Sequence, residues 1–131
     1  MQILESARTV AVVGLSSSPG RASYRVAAYL NHAGYHVIPV NHLSNDILGE
    51  KSYPDPESIP APVDVVEIFR PSEKMTPFVE QAIRIRAKVV WMQSGIVNEA
   101  AAGVARASGL KVVVDRCMKI EHRRLVAELF H

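Results

Sequence analysis

Short apolar runs alternate with amphipathic stretches along almost the whole chain. Val10-Ala11-Val12-Val13 stops at Gly14, and a loop rich in Ser, Pro and Gly follows as far as Gly20. Val26, Leu30 and Ala33 then recur at helical spacing, and Gly34 closes that helix as a C′ residue does. The same alternation predicts a helical turn at 3–7 and a first strand at 9–13, with a helix beginning around Ser23. A second strand follows at 35–40, with Pro39 expected where that strand leaves the ladder, because it has no N–H to donate. Residues 41–62 hold four of the eight prolines, Pro54, Pro56, Pro60 and Pro62, together with Gly49, and show no sustained period. Within that stretch Ser52 and Tyr53 read as a brief edge strand, and residues 57–59 as a helical turn. A third strand is expected at 63–69 and a preliminary turn at 72–75. Thr76-Pro77 then reads as N-cap and N1 of a helix running to about Arg86. A fourth strand at 88–92, an Ala-rich helix capped by Asn98 and ended by Gly109, a fifth strand at 111–114 and a last helix at 120–130 complete the chain.

Five short β runs separated by helices of about three turns predict parallel βαβ units and an α/β fold in one domain spanning 1–131. Right-handed crossovers turn such units into a doubly wound, three-layer α/β/α sandwich, expected here in the strand order 3-2-1-4-5. Ligands of such sheets bind beyond the carboxyl ends of the strands, beside the switch point at strand one. The residues just after each strand are therefore the candidates for function.

Composition narrows the classes without choosing among them. Of 131 residues 48% are apolar and 21% charged, the balance of a water-soluble globular protein. A net charge of +2 without basic clusters argues against nucleic acid. No apolar run approaches the ~20 residues needed to span a bilayer, and the first residues lack the pattern of a signal peptide. The single cysteine, Cys117, excludes an intramolecular disulfide and fits a reducing cytoplasm, which is the expected location.

The loop after strand one carries the clearest chemistry. A buried strand feeding a tight loop into a helix N-terminus exposes unpaired N–H groups at the positive end of a helix dipole, a natural seat for phosphate. Gly14 permits close approach, Ser16 and Ser23 offer hydroxyls, and Arg21 offers a charge-assisted donor. Pro39, Val40 and Asn41 follow at the end of strand two. An NAD-binding unit ordinarily has Asp or Glu there, and the spacing Gly14-x₅-Gly20 is neither Gly-x-Gly-x-x-Gly nor a Walker loop. Asn41 with a histidine neighbour is instead compatible with a phosphorylated ribose. Arg70 stands after strand three, and Gln93, Gly95 and Ile96 after strand four. Trp91 is expected to turn inward to the core. No nucleophile elbow or paired strand-end carboxylates accompany them, and His32 and His36, at a metal-like i, i+4 spacing, are split by Gly34 and should not share a face, so the site reads as one built to hold a ligand. Cys117, next to Arg116, is either a poised thiolate or a small buried hydrophobe.

Taken together, Val13-Gly14-Leu15-Ser16, Arg21-Ala22-Ser23, Gly34-Tyr35, Ile38-Pro39-Val40-Asn41, Ile47-Leu48-Gly49-Glu50, Asp64-Val65-Val66, Phe69-Arg70-Pro71, Trp91-Met92-Gln93-Ser94-Gly95-Ile96 and Asp115-Arg116-Cys117 form an ordered set. That set resembles the stand-alone CoA-binding proteins, which are similar to the N-terminal domain of the succinyl-CoA synthetase α subunit. Two positions depart from the family pattern: His42 follows Asn41 where proline is frequent, and Ser94 precedes Gly95 where an apolar residue is commoner. The resemblance implies a Rossmann-type fold with coenzyme A across the carboxyl edge of the sheet. It implies that Gly14, Ser16, Arg21 and Ser23 take the phosphates, that Pro39, Val40 and Asn41 border the adenosine, and that Arg70, Gln93, Gly95 and Ile96 line the path of the pyrophosphate and pantetheine. The expected function is non-catalytic binding of CoA or acyl-CoA, and succinyl-CoA synthesis by this chain alone is not expected. A small NAD(P)-linked or acyl-CoA-processing enzyme using Cys117 is the alternative, and a structural domain with a vestigial cleft is a third reading. Neither nucleic acid nor membrane is an expected partner; a second copy of the chain or another protein is left open.

Overall fold

The computed structural model describes residues 2–43 and 46–130. In chain order the elements are α1 (Gln2–Ser6), β1 (Thr9–Val13), α2 (Ala22–His32), β2 (His36–Val40), β3 (Asp46–Ile47), β4 (Glu50–Lys51), β5 (Val65–Ile68), α3 (Thr76–Arg84), β6 (Val89–Met92), α4 (Glu99–Ala107), β7 (Lys111–Val113) and α5 (Met118–Leu129). Short 3₁₀ turns occupy Pro56–Ser58 and Ser72–Lys74. No described helix is long and apolar enough to cross a membrane.

Five strands form one parallel sheet in the order β2-β1-β5-β6-β7, and β3 with β4 makes a separate antiparallel hairpin. The α/β sandwich is as expected, but the order 3-2-1-4-5 is corrected. The strand expected third, β5, lies on the far side of β1 from β2, so the five main strands run 2-1-3-4-5. Contacts at its start fix the placement. Asp64, just before β5, accepts from the amides of Arg8 (2.7 Å) and Thr9 (3.1 Å) and so pins its start beside β1. The place outside β2 is taken by Tyr53, which bridges Val40 in parallel fashion. A crossover from β2 to that short segment and back across to β5 creates the switch point at the ends of β1 and β5.

Each face of the sheet has its own core. Ala11, Val13, Ile38, Val40, Val66, Ile68, Val90 and Met92 pack against α3 and α4 through Met75, Val79, Ala82, Ala101, Ala102 and Ala105. Val10, Val12, Val37, Val65, Val89 and Trp91 pack against α1, α2 and α5 through Leu4, Val26, Ala27, Leu30, Met118 and Leu125. Three of the five alanines of α4 thus face the sheet. Trp91 is fully buried as expected, and its indole N–H donates to the Arg116 carbonyl at 2.7 Å.

Two local expectations are corrected. Pro39 is not where β2 leaves the ladder but inside it, opposite Val12. Its carbonyl accepts from the Tyr53 amide on the outer side, so the missing N–H falls on that same side and costs the β1–β2 ladder nothing. Helix α2 begins at Ala22, within a residue of its expected start, with Arg21 at the N-cap and the Ser23 hydroxyl turned back to accept from the Ser16 amide (3.0 Å). Helix α3 has Met75 at its N-cap, with Thr76 and Pro77 already in the first turn.

Candidate anion-binding cleft

The site is built from the last residue of β1 outward. Gly14 keeps β1 laddered to β2 by donating to the Val40 carbonyl at 3.0 Å, and its φ of +83° is one that a side chain resists. A Cβ there would also come within 3.1 Å of the Arg70 Cδ. The bare glycine therefore lets the aliphatic stem of Arg70 lie across the end of β1. Arg70 is half-buried, and its Nε is buried without a hydrogen-bond partner. An unmatched guanidinium donor is costly unless an acceptor, best an anionic oxygen, completes it.

Around Arg70 opens a cleft of about 190 Å³. Val13, Gly14 and Ser16 form one wall and Val40, Asn41, His42 and Leu43 another; Pro54 and Phe78 supply apolar surface. Asn41 braces the two walls together. Its Nδ2 donates to the Leu15 carbonyl (2.7 Å) and its Oδ1 accepts from the Leu43 amide (2.8 Å), while its own amide donates to the Tyr53 carbonyl (2.9 Å). Ser16 is likewise braced, its amide on the Ser23 hydroxyl and its own hydroxyl accepting from the Ser18 amide, both at 3.0 Å. The first-turn amides of α2, at Ala22, Ser23 and Tyr24, have no intrahelical acceptor, and Arg21 supplies no side-chain cap.

The structure therefore gathers Gly14, Ser16, Val40, Asn41 and Arg70 into one cleft. Arg21 and Ser23 flank it on the loop and first turn of α2, Arg21 exposed and Ser23 buried. Pro39 lies one residue below the rim, within β2. Gln93, Gly95 and Ile96 stand at the end of β6, outside the lining of the cleft. The buried Gln93 accepts from the Met118 amide (2.9 Å) and so caps α5; the Gly95 amide donates to Asp115 (2.6 Å), and Ile96 packs on the α3–α4 core. Cys117, at the N-cap of α5, is half-buried against the opposite core. Leu43, Pro54 and Phe78 line the cleft without having been candidates. Of these only Phe78 carried a signal, an aromatic in the first turns of the helix that follows Arg70.

Among the described residues no group of three or more His, Cys, Asp or Glu side chains could hold a metal. A larger hollow of about 360 Å³ lies at the amino ends of β5 to β7 beneath α1, where the Lys88 ammonium is already 3.4 Å from Asp64. The cleft at the carboxyl edge is the one at the switch point. Its volume is below the ~300–1,000 Å³ of pockets that enclose a drug-sized ligand. A larger guest would seat one moiety there and lay the rest over the rim.

Over residues 8–123 the chain matches the family described as the CoA binding domain. It belongs to that family. This CoA-binding-domain chain is 38% identical over 121 residues to the uncharacterized protein YneT of Bacillus subtilis (strain 168), covering 92% of this chain and 90% of the relative. It superposes with a TM-score of 0.93 on a hypothetical protein from Pyrococcus horikoshii OT3, at 41% identity, over 95% of this chain and 88% of that one. It is also similar to part of the dinucleotide forming acetyl-coenzyme A synthetase 1 of Ca. Korarchaeum cryptofilum, solved in complex with phosphate and ADP. There the TM-score is 0.70 and the identity 25%, over 79% of this chain and 25% of that one.

Proposed function

We propose that this protein binds coenzyme A, free or acylated, across the carboxyl edge of its sheet, and that it does so without covalent catalysis. The observation that carries the reading is Arg70: a buried, unmatched guanidinium donor laid over a glycine at the switch point of a CoA-binding-domain fold. These residues fit a phosphorylated ligand. Arg70 and the first-turn amides of α2, with Ser16 and Arg21 beside them, would hold phosphate oxygens. Val40 and Asn41, with Pro39 beneath them, would border the adenosine, and the chain past Gln93, Gly95 and Ile96 offers the remaining rim to the pantetheine. The absence of an acid at the end of β2, where Asn41 is instead tied to Leu15 and Leu43, speaks against a ribose diol as the primary contact. The likeness to an acetyl-coenzyme A synthetase domain supports the same ligand class.

The test is thermal unfolding with CoA, dephospho-CoA, NAD and NADP in turn. Ligand at ~100 times Kd adds about 2.7 kcal/mol, which raises Tm on the order of 10 °C for a domain of this size. CoA is expected to give the largest shift. A shift with NAD or NADP and none with CoA would refute the reading.

A further inference from the structure

We infer that the outer face of α5 joins two copies of this chain, antiparallel about a two-fold axis near Val126. Seven large apolar side chains are exposed among the described residues, and four of them lie on this helix and its cap: Ile120, Val126, Leu129 and Phe130, the last 84% exposed. The inner face belongs to the fold, since Met118 and Leu125 are buried in the core shared with α2. At 3.6 residues per turn the outer face carries Ile120 and Ala127 along its middle. Arg124 and Glu128, four residues apart, form one flank. Arg123 and Phe130, seven residues apart, form the other, and the Phe130 amide donates to the Val126 carbonyl (3.1 Å), which keeps Phe130 in helical register. Between the flanks opens a hollow of about 310 Å³ lined by Ile120, Arg123, Arg124 and Ala127.

This face is complementary to itself. Glu121 already serves both Arg116 (3.7 Å) and Arg124 (2.9 Å), whereas Arg123 and Glu128 enter no ion pair among the described residues. In an antiparallel pair with its axis near Val126, Arg124 stands opposite Glu128 of the second copy, and symmetry repeats the contact. Phe130 of the second copy comes level with Arg123 and enters the hollow, where a guanidinium can lie on its ring. The small side chain of Ala127 lets the two helices approach closely. A parallel pair would instead set Arg123 against Arg124 of the second copy, like charge on like, so the charges select the antiparallel arrangement. The helix is about 18 Å long at ~1.5 Å per residue. A contact confined to it is smaller than the ~1,200 Å² at which standard interfaces begin, so the dimer is weak and concentration-dependent. It is independent of the CoA reading, because α5 and α3 cover opposite faces of the sheet and it is α3 that lends Phe78 to the cleft.

The experiment is sedimentation velocity of the full chain from ~5 to ~500 µM, where a monomer–dimer equilibrium is expected. Arg124→Glu and Glu128→Arg are each expected to weaken association about tenfold, because each sets like charges across the axis twice over. An equimolar mixture of the two variants is expected to recover it, since the carboxylates of one then face the guanidinium groups of the other. Phe130→Ser, a change confined to an exposed side chain, should weaken association by about the same factor while leaving Tm unchanged. A native chain that stays monomeric over the whole range leaves the face to a different protein and overturns the inference. A dimer indifferent to Phe130→Ser and to both charge reversals overturns it too, as does a mixture of folded variants that associates no better than its parts.

Discussion

Arg70 works through a division of its own side chain. The stem packs on Gly14 and contributes to the folded state, while the guanidinium lies in the lining of the cleft and is the part proposed to hold a phosphate. Replacing it with methionine separates the two roles, because methionine restores most of the stem and none of the charge. Arg70→Met is expected to lower CoA affinity at least tenfold, the scale of a charge-assisted hydrogen bond in a partly buried site, with Tm of the unliganded protein little changed. Equal affinities for the two proteins in a titration would remove Arg70 from the site. At this scale the sequence was informative about location and poor about partners. Gly14, Arg70 and Asn41 could be picked out because strand ends are where such sheets bind ligands. Nothing in the sequence reveals that the Ser23 hydroxyl is held by the Ser16 amide or that Gln93 caps α5, since those bonds join residues brought together only by the packed helices. Pro54 and Phe78 reach the cleft through the path of an irregular segment and the seating of α3, which periodicity does not encode.

Strand β5 carries an unusual load for a central strand. Glu67 lies between Val12 and Trp91, fully buried, with neither carboxylate oxygen hydrogen-bonded. Burial pushes its pKa up to about 8. A carboxyl group raised in the folded state contributes stability that is complete below the unfolded value of ~4.3. That contribution declines as pH rises from there to about 8, the value in the fold. Glu67→Gln, neutral throughout, is expected to unfold at a temperature that gains on the native protein steadily between pH 5 and 8. Parallel Tm-against-pH curves would show that the acid is not neutralised in the fold. Asp64 does not confuse the test. Burial raises its pKa, but the Arg8 and Thr9 amides and Lys88 outweigh that and leave it lowered, so its effect is confined to more acid solution. The five strands of the main sheet and the helices were legible, to within a residue or two, from apolar runs and turn residues, whereas the β3–β4 hairpin inside the irregular stretch was not. Their order was not. Apolar runs say that a strand is buried, not which neighbours bury it, and the edge position was filled by the single bridge of Tyr53 to Val40.

For the molecule as a whole, Pro39 has a consequence outside the binding site. Along the outer margin of β2, alternate residues direct their amide and carbonyl away from β1: Val37, Pro39 and Asn41. The Asn41 amide and the Pro39 carbonyl are already engaged by Tyr53, and Pro39 has no hydrogen to offer. Val37 and the Asn41 carbonyl remain to greet an incoming chain, too little to seed a continuous intermolecular ribbon. Pro39 thereby makes the margin of the sheet beside the cleft a poor template for pairing with another chain. Pro39→Val is expected to relax that safeguard, seen as slow growth in scattered light at high concentration where the native protein stays clear.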